Sequence, residues 1–148
     1  MNHQVRSTSL LTLSTFLAAA TLAVTPVTHA APIQVGQTGV VPLGANQALR
    51  VTVNTGTGND TITVRFVTSV YAGTTNGGIW KTTNISQTTF GPVTVLPSEA
   101  ASIDIAPTNG IAVQATILSN NSNVHVTGEI IDAATGEVQG IIAILIGL

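Results

Sequence analysis

Hydrophobic and polar residues alternate with a period of two along most of the chain beyond residue 31, and no stretch carries a stripe of 3.6-residue period. Leu49, Val51 and Val53 alternate with Arg50, Thr52 and Asn54, and Ile62, Val64 and Phe66 alternate with Thr61, Thr63 and Arg65. Successive side chains of a strand point to opposite faces, so each set predicts a strand with one face on a core and one in water. Ile103 and Ile105 make a third such face, Ile111, Val113, Ala115 and Ile117 a fourth, and Val124, Val126, Gly128 and Ile130 a fifth. Turn-forming residues cluster between them, at 54–60, 96–99, 107–110 and 119–122. Short strands at such intervals predict an all-β fold, a single antiparallel two-sheet sandwich of Greek-key or jelly-roll type with about eight strands.

Two segments depart from this rhythm. Residues 72–87 are polar and read as a long loop with its tip at 74–78, where Asn76-Gly77 suits a hairpin between a strand ending near Tyr71 and one starting near Ile79. Residues 138–148 are apolar on both faces, with Ile142, Ile144, Ile146 and Leu148 on one side and Ile141, Ala143 and Leu145 on the other. Burying a large aliphatic side chain is worth roughly 1.5 to 3 kcal/mol, so a wet Ile141 and Leu145 together forgo about 3 to 6 kcal/mol and form an adhesive strip. Its cover is either another part of the same chain, 72–87 or 31–39, or a neighbouring copy. A membrane span is excluded, because eleven residues are too few for a helix and one strand cannot cross alone. Ile33 and Val35 alternate within 31–39, and an extended segment of this kind suits addition to a sheet edge of another copy. The alternative is a tail that stays loose or pairs locally.

The chain opens with a polar stretch carrying Arg6, an apolar run over residues 10–24, and Val27-Thr28-His29-Ala30 ahead of Ala31. This order predicts a secretory signal peptide cleaved after Ala30. An uncleaved anchor is the competing reading, but the run falls short of the ~20 apolar residues of a span and Pro26 follows it. The expected organisation is a signal peptide over 1–30, an extended segment over 31–39 and a sandwich over 40–148, in a secreted, extracellular or cell-surface protein with no transmembrane segment after cleavage. Beyond Ala30, Arg50, Arg65 and Lys81 face six carboxylates, a net charge of −3. Three scattered cations cannot neutralise a phosphate backbone, so nucleic acid is not an expected partner. The absence of cysteine removes disulfides, thiolate metal sites and a lipid-attachment residue.

Candidate chemistry is sparse. Residues 55–62 match most of a calcium-binding nonapeptide, with Asp60 as the carboxylate, but tandem copies are absent and Thr55 stands where the first glycine belongs; a glycine turn into the next strand explains the run. His125 is the single histidine beyond Ala30 and alternates onto the face away from the core, without the partners that nucleophilic catalysis or a zinc site needs. Glu99, Asp104, Glu129, Asp132 and Glu137 read as solvated charges rather than a carboxylate pair for glycoside hydrolysis. Tyr71, Trp80 and Phe90 bracket the polar segment; Tyr71 and Trp80 are candidates for stacking on a sugar, and burial of Trp80 and Phe90 as plugs over the sandwich is the competing expectation. No enzyme activity and no cofactor are expected.

A leading extended segment, short Thr-rich strands, the turn Pro97-Ser98-Glu99-Ala100 feeding 102–105, and a terminal strand are together similar to the small secreted β-sandwich subunits of bacterial extracellular appendages and surface fibres. Some such subunits lock neighbours covalently through cysteines, which this chain lacks. The resemblance implies a noncatalytic structural protein that self-associates by strand addition into a fibre or surface layer, with Ile33, Val35, Ile141, Ala143 and Leu145 as candidate self-association residues. The alternative is a monomeric extracellular module that touches cell-surface glycan through Tyr71 and Trp80.

Overall fold

The computed structural model describes residues 30–56, 58–108 and 110–146. The signal peptide expected over 1–30 lies, Ala30 apart, outside the described residues, as does Leu148. The alternating segments form strands in two antiparallel sheets with no helix: β1 (Ile33–Thr38), β2 (Val41–Pro42), β3 (Gln47–Asn54), β4 (Ile62–Asn76), β5 (Ile79–Val95), β6 (Ala100–Ile105), β7 (Ala112–Ser119), β8 (His125–Asp132), β9 (Val138–Ile142) and β10 (Ile144–Leu145). One sheet, here sheet A, runs β10-β1-β7-β4-β5 with β2 also on β7; the other, sheet B, runs β6-β3-β8-β9. The expected sandwich is the observed fold. Nine of its ten described strands fall within 40–148, where about eight were expected, and the tenth, β1, lies in 31–39.

The period-two faces meet in one core. Leu49, Val51 and Val53 of β3 face Ile62, Val64 and Phe66 of β4 and Val113, Ala115 and Ile117 of β7, all of them buried. Ile111, expected on the fourth face, instead precedes β7 and is exposed. The neighbours β3–β6, β3–β8, β4–β7 and β1–β7 are all distant in sequence, and β6 returns beside β3 after the β4–β5 hairpin in the manner of a Greek key. Among the described residues no buried side-chain polar atom lacks a partner. Thr38 shows how this is achieved: buried where β1 gives way to β2, its Oγ1 accepts the N–H of Ala115 at 2.9 Å in place of a ladder carbonyl.

Residues 33–38, expected to lead the sandwich as part of an extended segment, are its β1, held between β7 and β10. Val35 is buried in the core, while Ile33 at the strand's start is exposed. The pairing partners lie about 80 to 110 residues away, beyond the reach of any local pattern. Likewise residues 72–87 are not a loop. β4 continues to Asn76, β5 begins at Ile79, and the turn between them is Gly77-Gly78, both at positive φ (58° and 79°), as a two-residue hairpin turn of type I′ requires.

Candidate functional site

The sandwich has two lateral margins of different construction. At one, β5 is the last strand of sheet A, and β4 is its one partner among the described residues. β7 covers β4 from Val64 to Tyr71, so residues 72–76 and 79–83 run on past the end of β7 as a two-stranded arm. Of the 17 residues of β5, Val95 is buried and Thr82 half-buried, and every other residue is exposed. Phe90 pairs with the buried Phe66, and Val93 with the buried Val64, yet both are exposed because sheet B does not reach beneath them. Ile79 and Ile85 are exposed too. The edge is regular over 79–84 and 86–90 and interrupted by bulges at Ile85 and at Gly91-Pro92, and the unpaired main-chain groups and apolar side chains of its regular stretches are a template for another strand. Sequence reasoning expected a strand to start near Ile79 and singled out Trp80 and Phe90, but read the stretch to residue 87 as loop and named none of these residues as an edge for association. The signal that marks them is a Gly-Gly turn flanked by Thr- and Ile-containing stretches of high β propensity.

At the other margin the C-terminal strand changes sheets. β9 pairs with β8 in sheet B, the chain crosses at Ala143, and β10 pairs with β1 in sheet A. Ile142 and Ile144 turn inward over two glycines. A Cβ on Gly128 would lie 3.0 Å from both Ile142 Cγ1 and Ile144 Cδ1, and one on Gly36 would lie 3.1 Å from Ile144 Cγ2. Glycine at those positions makes the room that lets the strand close the sandwich. The alternate residues face out: Ile141 is 84% exposed, Leu145 66% and Ile146 77%. Neither 72–87 nor 31–39 covers Ile141 or Leu145. Ala143 at the crossing is exposed as well, and Leu145 borders an apolar hollow with Val40, Pro42, Ile130 and Ile142.

The two aromatic candidates sit on the arm side. Tyr71 is half-buried and its hydroxyl donates to Gln114 Oε1 at 2.8 Å. Trp80 and Phe90, expected as buried plugs, are exposed at 40% and 45%. The Trp80 ring lies over Gly73 beside Ile111, its Nε1 within 2.6 Å of where a Gly73 Cβ would stand, so a cross-strand glycine seats it on the hairpin rather than in the core. Register places Tyr71 and Trp80 on one face of the hairpin, across from Asn84 and Thr75.

Charge divides between the sheets. The described strands of sheet A carry Arg65 and Lys81 and no carboxylate, while those of sheet B carry Arg50 with Asp104, Glu129 and Asp132, and Glu137 leads into β9. Arg50 donates two 2.8 Å bonds to Asp104 across β3–β6, which raise the guanidinium above its ordinary pKa; no other ion pair forms among the described residues. The backbone N–H groups of Thr135 and Ala134 both donate to Asp132 Oδ1 at 2.9 Å and hold its carboxyl below the ordinary range. Asp60 accepts from Asn121 Nδ2 at 3.2 Å and lies exposed, and His125 is exposed on β8 against Gly56. Among the described residues no three of His, Asp and Glu gather as a metal site, and no helix is long and apolar enough to cross a membrane. Comparison with protein-family models, with curated proteins and with solved structures finds no match.

Proposed function

We propose that this chain is a noncatalytic, exported structural subunit that associates with copies of itself by strand addition, building an extracellular fibre or surface layer. The observation that carries the reading is β5, an edge strand of 17 residues with both faces open to solvent. A monomer gains little from so long an overhang; natural sheets normally shorten, charge, bulge or cover such edges, and although β5 has two bulges and Pro92, its stretches 79–84 and 86–90 stay regular and uncovered. Lys81 is the single charged residue on β5. Ile141 and Leu145 add a second uncovered apolar strip on the opposite margin. Because β1 is already paired within its own sheet, the joining strand on this reading is β5 rather than 31–39.

The test is size-exclusion chromatography with negative-stain imaging of the purified chain beginning at Ala31. Rods, ladders or a concentration-dependent rise in mass are expected, and a monomer at every accessible concentration overturns the reading. Exposed Trp80 on the face that also holds Tyr71 favours a second reading, a monomeric module that stacks on surface glycan. A monomer that binds immobilised glycan and loses binding on Trp80→Ala identifies that case.

A further inference from the structure

We infer that two copies join edge to edge through β5, antiparallel about a two-fold axis perpendicular to sheet A, with residues 79–83 of each copy paired to 90–86 of the other. This rests on the self-association proposed above and specifies its contact. Length selects the partner strand. Among the described residues no other strand leaves more than six residues open on a free side, so none spans both regular stretches of β5. A second β5 does. In antiparallel order it sets the 86–90 stretch of each copy against the 79–83 stretch of the other. The bulge at Ile85 then falls on the axis, where Asn84 Oδ1 already accepts the Ser86 N–H at 3.1 Å within its own strand.

The faces of the strand fix the register, because residues opposed across an antiparallel pair share a face. In 86–90 the side of the buried Phe66 is taken by Ser86, Thr88 and Phe90. The extra residue at Ile85 shifts the alternation by one, so in 79–83 the same side is taken by Ile79, Lys81 and Thr83. Moving the inferred register by one residue opposes inward to outward side chains, and moving it by two sets part of 86–90 against the bulge or the Gly77-Gly78 turn. In register, Ile79 meets Phe90, two apolar side chains exposed in the single copy, and Trp80 meets Thr89. Thr82 meets Gln87 and Thr83 meets Ser86, uncharged pairs that can hydrogen-bond. Lys81 meets Thr88, which leaves the two Lys81 residues about 23 Å apart along the joint at the spacing of a strand, with no like charges opposed. Such a joint closes after two copies, so a fibre or layer extends through another surface, and Ile141 and Leu145 lie uncovered on the opposite margin.

The chain has no cysteine, so introduced thiols report the pairing without competition. Single variants Lys81→Cys, Thr82→Cys, Thr83→Cys, Gln87→Cys and Thr88→Cys are mixed in pairs and oxidised at a concentration where the unaltered chain assembles. A disulfide-linked dimer is expected from Lys81→Cys with Thr88→Cys or from Thr82→Cys with Gln87→Cys, since neighbouring pairs alternate between hydrogen-bonded and closer non-hydrogen-bonded sites. None is expected from any variant alone, nor from Thr83→Cys with Thr88→Cys, which is two residues out of register. Kept reduced, each variant should assemble as the unaltered chain does, showing that the substitution is tolerated. Linkage in the out-of-register mixture and in neither matched one overturns the register. Assembled material that yields no linked dimer from any mixture overturns β5 pairing and leaves self-association standing. If the unaltered chain never assembles, both proposals fall.

Discussion

β7 and β5 lie in the same sheet, on either side of β4, and they use similar residues to opposite ends. β7 alternates buried and half-buried positions over its eight residues and sends Val113, Ala115 and Ile117 into the core. β5 is twice as long, also contains valine, isoleucine, phenylalanine and threonine, and buries one residue in 17. What separates them is what lies opposite: β7 has sheet B beneath it and a partner strand on each side, whereas β5 has β4 on one side, a small contact with β6 and water elsewhere. An apolar side chain in a strand therefore reports burial in this fold only when a second sheet reaches it. The same contrast recurs within the C-terminal strand, where Ile142 and Ile144 fill space above glycines and Ile141 and Leu145 face outward.

The contrast breaks most visibly under truncation. Ile117→Ala empties a fully buried site and is expected to cost about 2 to 5 kcal/mol in chemical denaturation, whereas Ile85→Ala is expected to stay within about 0.5 kcal/mol of the unaltered chain under monomeric conditions. A smaller effect is expected at the closing margin. Gly128→Val forces a side chain against Ile142 and Ile144 and should destabilise by about 1 to 3 kcal/mol, while Gly140→Ala, whose new Cβ meets nothing nearer than 3.9 Å, should be close to neutral. Equal costs for the two glycine substitutions would show that the C-terminal strand does not seal the sandwich.

The smallest effect is that of pH. Asp132 is held below its ordinary value of 3.8, so its carboxylate contributes stability above that value and loses it as pH falls through the lower folded-state value. Melting temperature should accordingly be flat from neutrality to about pH 5 and begin to fall below the ordinary carboxylate range near ~3.9. Asp132→Ala should reduce that acid-side loss, and an unchanged acid limb in the variant would remove the turn at 133–136 from the account.

The strands that face two ways, one wet and one dry, were legible because alternation is the direct imprint of a half-buried sheet: β3, β4 over 62–66, β6, β7 and β8 follow it. Most of β5 escaped, although its start near Ile79 was expected, because neither of its faces is covered, which leaves no period for the pattern to carry, and Thr82 and Thr83 read as loop despite their strand propensity. For residues 138–148 the anomaly was visible but not its resolution. Apolar faces on both sides announce an unusual strand, and only the sheet-to-sheet crossing at Ala143 explains why one side is inserted and the other is not. Ile141 and Leu145 were singled out from sequence as exposed apolar residues, and Trp80 on β5 as a contact residue, whereas Ile79, Ile85 and Phe90 were not named for association.

Backbone hydrogen exchange on the unaltered chain beginning at Ala31, followed in dilute solution and at a concentration where light scattering shows assembly, tests most directly whether another copy covers the open edge. The account predicts that the outward-pointing amides of residues 79–84 and 86–90 exchange quickly when dilute and slow markedly on assembly. Assembled material in which β5 exchanges as fast as in the monomer would contradict it.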